Sequence, residues 1–108
     1  LTTDSDLIPY LNQVLLKDFS IPPATSLSTD WLALVQEKVE EYLGSPSGVE
    51  FLMHILYRLD ISESKVNQAF NAPNSSSIAK ELSCLILERE IQKAESRRKY
   101  KSTGNTEF

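Results

Sequence analysis

The 108-residue sequence predicts an all-α fold: a single-domain, four- to five-helix bundle with a long C-terminal helix. Three observations predict it. Apolar residues recur at three- and four-residue spacing in five segments. Residues with capping chemistry stand at the segment starts, and Pro, Gly and Ser gather in the short stretches between them. With 41% hydrophobic and 24% charged residues, the chain has the make-up of a soluble globular domain. It is long enough to bury a core without disulfides or metal. The helical domain is expected over 1–101, with a flexible tail at 102–108, because Ser102-Thr103-Gly104-Asn105 has no apolar face to bury.

The first helix is expected from Asp6 to Phe19, where Leu7, Ile8, Leu11, Val14, Leu15 and Phe19 share one side. Pro9 fits in its first turn, where a missing N–H costs no hydrogen bond. Pro22-Pro23 mark the loop from Ser20 to Leu27. Ser28 or Thr29 is expected to cap the second helix, which runs to Leu43 and buries Trp31, Leu32, Val35, Val39 and Tyr42. Gly44 is expected to supply a left-handed stop, and Pro46 to prevent continuation.

Ser47 and Glu50 have the spacing of a capping box for the third helix, Val49 to Leu59. Only Glu50, His54 and Arg58 break its apolar circumference, so it is expected at the centre of the bundle. Ser62 caps a short fourth helix, with Ile61 stapled onto Val66 and Phe70 as a second anchor. The fifth helix spans Ser77 to Lys101. At 100° per residue, Ile78, Leu82, Leu85 and Ile86 cluster on one side, and Cys84, Leu87, Ile91 and Ala94 on roughly the opposite side.

One apolar face closes a small domain, so the second face of the last helix requires another surface. That surface is either the chain's own core or a partner, most simply an identical chain related by a two-fold axis. Leu87, Ile91 and Ala94 are the candidate partner-binding residues, followed by the basic run Arg97, Arg98, Lys99 and Lys101. The net charge is −4, which argues against a general polyanion binder. The charge is uneven, however: residues 1–88 hold 5 Lys/Arg against 12 Asp/Glu, and residues 89–108 hold 6 against 3. A charged partner would dock at the basic end.

Catalytic and ligand chemistry find little support. His54 is the one histidine; it shares a helical face with Glu50, but a metal site needs a third convergent ligand. The serines stand at caps and in loops, and neither a G-x-S-x-G elbow nor a phosphate-binding glycine loop occurs. No enzyme activity, cofactor or metal is expected. Cys84, the single cysteine, is expected as a small buried residue of the fifth helix. No apolar run reaches the roughly 20 residues of a membrane span. Leu1 to Ser5 does not look like a signal peptide, and a reducing cytoplasm is the expected compartment.

The segment Leu59-Asp60-Ile61-Ser62-Glu63-Ser64-Lys65-Val66-Asn67-Gln68-Ala69-Phe70 resembles the turn and recognition helix of helix-turn-helix DNA-binding domains, with Phe51 to Arg58 as the first helix. The resemblance covers about a fifth of the chain. It implies that Glu63, Ser64, Lys65, Asn67 and Gln68 face the major groove. Lys65 would then contact phosphate or guanine, and Asn67 or Gln68 would read adenine. Asp60 stands where that family's turn usually has glycine, and Leu56 where it has a small residue. The leading expectation is therefore a non-enzymatic protein-interaction module associating through its last helix, with DNA binding through residues 51–70 as the alternative.

Overall fold

The computed structural model describes residues 7–21 and 30–103, without the side chains of residues 100–103. It is all-α, with five helices and no strand among the described residues: α1 (Ile8–Phe19), α2 (Trp31–Leu43), α3 (Pro46–Arg58), α4 (Glu63–Phe70) and the long α5 (Ser75–Thr103). They divide into two units. One holds α1 and α5 from Glu90 onward, and the other is Asp30–Arg89.

In the first unit, α1 and its N-cap residue Leu7 bury all six apolar residues expected from the periodicity, and Asp18 with them. Pro9 sits in the first turn. The helix ends at Ser20, whose left-handed backbone (φ 57°) directs its N–H onto the Leu16 carbonyl at 3.0 Å. The expected start at Asp6, the loop beyond residue 21 and the tail from residue 104 lie outside the described residues. At its other end α5 remains helical through Thr103, two residues further than the sequence suggested.

In the second unit, α2 and α3 start beside the residues that the sequence pointed to, α5 starts two residues earlier than expected, and α4 starts at its expected cap. The Asp30 carboxylate, not Ser28 or Thr29, caps α2 by accepting from the Ala33 N–H at 3.0 Å. Ser45 caps α3 through the Gly48 N–H at 3.1 Å. Pro46, expected only as a stop for α2, is the first residue of α3, where its fixed φ favours the helix. Asn74 caps α5 through the Ser77 N–H at 2.8 Å. In all three cases the observed cap satisfies an N–H three residues on, which is the geometry that selects it. Ser62 takes the capping position of α4 without a side-chain hydrogen bond.

The two helix stops that need a left-handed residue fall on Ser20 and Asp60. Gly44 is right-handed (φ −76°), which corrects its expected role. The demanding glycine is Gly48: a Cβ there would run into the Tyr42 carbonyl, so its bare Cα is what lets α3 begin so close to the end of α2.

Helix α3 departs most from its sequence pattern. Leu52, Ile55, Leu56 and Leu59 form one buried face at helical spacing. Val49 is half-buried, and the aromatic and methionine side chains lie outside: Phe51 is 49%, Met53 43% and Tyr57 85% exposed. It is thus a one-faced helix, not the central one.

Candidate interaction surface

That outward apolar face continues into a groove. Met53 and Tyr57 are one helical turn apart on α3 and so project from the same side. The chain then leaves α3 through Leu59 and the left-handed Asp60 (φ 60°). The Asp60 N–H reaches the Tyr57 carbonyl at 3.0 Å and the Ile61 N–H reaches Leu56 at 3.3 Å, the paired closure of a Schellman stop. Arg89 Nε donates to the Leu59 carbonyl at 2.7 Å and holds this corner to α5. The sharp turn sets α4 beside the end of α3, leaving a groove of about 380 Å³. Leu56 and Val66 are its buried apolar residues, Met53, Tyr57 and Ile61 line it more openly, and Asp60 and Glu63 are the charged groups on its wall. No cation lines it. Phe51, on another side of α3, is met edge-on by Tyr42, with ring centres 5.2 Å apart and planes at 62°.

The residues of the helix-turn-helix resemblance occupy the same corner. Lys65, Asn67 and Gln68 are exposed together with Glu63 and Ser64, while Val66 and Ala69 turn inward. Asp60 adopts the left-handed backbone for which glycine is usually chosen. Electrostatically the corner is poor for DNA: Lys65 is the one cation of α4, with Glu63 on the same helix and Asp60 just before it.

The partner-binding residues expected on α5 separate into two groups. Leu87, Ile91 and Ala94 are buried within the chain, which removes them as an open docking stripe. The reason lies in the polar residues between the apolar ones. Ala79, Ser83, Ile86 and Glu90 are buried too and form the midline of one broad face; Leu82 stands on one side of it and Leu87 and Ile91 on the other. Two apolar stripes in the sequence are thus two shoulders of one buried face. Cys84, at the outer edge of the Leu87 and Ile91 shoulder, is exposed, contrary to expectation. Arg97 and Lys99 are exposed and Arg98 is half-buried; Arg97 Nη1 donates to Gln13 Oε1 of α1 at 3.3 Å. The Lys101 side chain lies outside the described residues.

A second polar constellation was not anticipated from the sequence. Glu90 and Asp18 are buried together in the unit of α1 and the end of α5, and Lys93 Nζ stands 3.0 Å from Asp18 Oδ2 and 3.5 Å from Glu90 Oε1. As a carboxylate, Glu90 finds no hydrogen-bond partner at either oxygen among the described residues. Burial, then the hydrogen bond and charge of Asp18, push its pKa up to about 8 against the smaller opposing pull of Lys93. That direction favours a protonated Glu90 beside Asp18, with the Lys93 ammonium closing the cluster. The available signal was the position of Glu90, midway between the apolar stripes of its helix.

His54, Glu50 and Arg58 are all exposed on α3. Among the described residues no three His, Cys, Asp or Glu side chains gather as a metal ion requires. Nor is any described helix long and apolar enough to cross a membrane. Comparisons of the chain with protein-family models, with curated proteins and with solved structures find no match.

Proposed function

We propose that the chain is a small non-enzymatic protein-interaction module whose docking surface is the groove between α3 and α4. The partner is a protein, in the simplest case a second copy forming a dimer. The observation that carries this reading is Tyr57, 85% exposed, beside Met53 at 43%, on the wall of an apolar groove. A tyrosine ring and a methionine in water forgo burial that each would gain at an interface. Tyrosine and methionine are also enriched at the centres of such interfaces. The basic end of α5 belongs to the same proposal as the segment through which the chain associates. So does a cytoplasmic setting, which the single, exposed Cys84 thiol favours.

DNA binding is the second reading, favoured by the left-handed Asp60 turn and the joint exposure of Lys65, Asn67 and Gln68. It ranks second because phosphate contacts supply much of the affinity of DNA binders, and this corner carries as much acid as base.

The test is selection of a displayed library of helical peptides against the chain, followed by amide chemical-shift mapping of the selected binder. Shifts centred on residues 53–67, with binding lost in Met53→Glu/Tyr57→Glu, are expected. Binders that map elsewhere would overturn the reading. So would sequence-selective retention of duplex DNA that Asn67→Ala relaxes.

A further inference from the structure

Resting on that reading, we infer that the groove between α3 and α4 receives the basic end of α5 from a second copy of the chain. The groove has the make-up of a site for arginine and lysine side chains rather than for a purely apolar helix. Among the described residues its charged groups are Asp60 and Glu63, both acidic. One wall is the exposed Tyr57 ring, whose face attracts a guanidinium or ammonium. Met53, Leu56 and Val66 offer an apolar bed for the methylene stems that such side chains lay along a surface while the charged head stays solvated or paired.

The complementary element is in the same sequence. Residues 97–101, Arg97-Arg98-Lys99-Tyr100-Lys101, hold four cations and no anion, while residues 1–88 are strongly acidic. Arg97 and Lys99 are exposed on α5. Opposed patches on one chain favour association of copies and disfavour polyanions, which the acidic remainder repels. Basic heads meeting two carboxylates and an aromatic face also make the contact salt-dependent, because these groups lie at the rim and are screened.

Sedimentation of the intact chain and of two charge-reversed variants decides it. One variant reverses the groove (Asp60→Lys/Glu63→Lys) and the other reverses the helix end (Arg97→Glu/Lys99→Glu); all four positions are exposed, and circular dichroism checks that each variant folds. The expected result is a wild-type dimer that weakens at least tenfold in 0.5 M salt, each variant monomeric alone, and a dimer restored when the two are mixed. A wild type that stays monomeric at its solubility limit overturns this inference and leaves the docking reading to the peptide selection. A dimer that survives in both variants but is lost in Tyr57→Glu keeps the groove as an interface and overturns the basic end as its occupant. Two monomeric variants that fail to pair on mixing likewise overturn the inference.

Discussion

Helix α3 turns Phe51, Met53 and Tyr57 toward solvent, whereas α5 turns Ser83 and Glu90 into the interior. The two helices invert the usual partition in opposite senses. On α3 the excess apolar surface is stable because four residues, Leu52, Ile55, Leu56 and Leu59, suffice to anchor the helix. What remains outside is available to a partner. On α5 the Ser83 hydroxyl is buried without a hydrogen-bond partner among the described residues, whereas a buried charge costs far more, and burial beside Asp18 pushes the Glu90 carboxyl toward its neutral form. An apolar side chain in water is tolerated without compensation, but a carboxyl group out of water demands a local solution. The outer face of α3 is therefore where mutation should be silent for stability, and the Glu90 cluster is where it should not.

The largest expected effect tests the one-sidedness of α3 by comparing adjacent residues. Leu56 is buried, so Leu56→Ala should cost about 2–5 kcal/mol through lost burial and an unfilled cavity. Tyr57→Ala should stay within about 0.5 kcal/mol, as for other surface positions without structural partners. Urea denaturation measures both. Similar losses at the two sites would return α3 to the centre of the bundle and remove the docking face.

These two helices also mark what the sequence makes legible. Helix count, helix type and the six buried apolar residues of α1 and its N-cap follow from periodicity, because that helix has one apolar stripe and little else to bury. Periodicity misjudged α3, since it registers how many apolar residues surround an axis but not how many neighbours are present to cover them. It misjudged α5 for the converse reason: leaving Ser83 and Glu90 out of the apolar set split one face into two. The caps Asp30 and Ser45 were each within two residues of those expected, but several Ser, Thr and Asp stand close together there and only geometry chooses among them. The α3–α4 corner was legible as a turn followed by a helix, but the left-handed backbone of Asp60 was not, since the sequence marks Asp60 only as a departure from the glycine of that turn. That the corner encloses an acidic, apolar-walled groove was not, because its wall joins residues on both sides of the turn.

A somewhat smaller effect probes the other side of the comparison. The Glu90 carboxyl has an ordinary pKa of 4.5 and is pushed up to about 8 in the fold. Between those pH values the folded chain keeps a proton that the unfolded chain has released. Its contribution to stability is therefore full below about pH 4.5 and is lost as pH rises toward about 8. At about 1.4 kcal/mol per pH unit, the span is worth several kcal/mol. Glu90→Gln removes the titrating group while its amide can still donate to Asp18. The variant should be more stable than wild type by about 2–4 kcal/mol at pH 8, with the two converging near pH 4.5. Chemical denaturation across that range reads the difference. Parallel pH profiles would mean that Glu90 is ionised in the fold and that Lys93 alone neutralises the pair.

The smallest effect sharpens the comparison at the points where the helices stop. Ser20 after α1 and Asp60 after α3 both adopt left-handed backbones, at φ 57° and 60°. For an ordinary L-residue that conformation costs roughly 1–2 kcal/mol, and glycine escapes the cost but gives back part of the gain through its freer unfolded chain. Aspartate visits the left-handed region more readily than serine, because its carboxylate can bond locally to the backbone. Ser20→Gly should thus stabilise the chain by about 0.5–1 kcal/mol, and Asp60→Gly should lie close to neutral. At Gly44, which is right-handed, Gly44→Ala puts a Cβ 3.3 Å from the Glu41 carbonyl and so gains nothing from the same logic. Thermal unfolding of the three variants orders them. If Asp60→Gly proved the most stabilising, the turn that shapes the groove would be a strained one, held in place by the contacts around it rather than favoured by its own sequence.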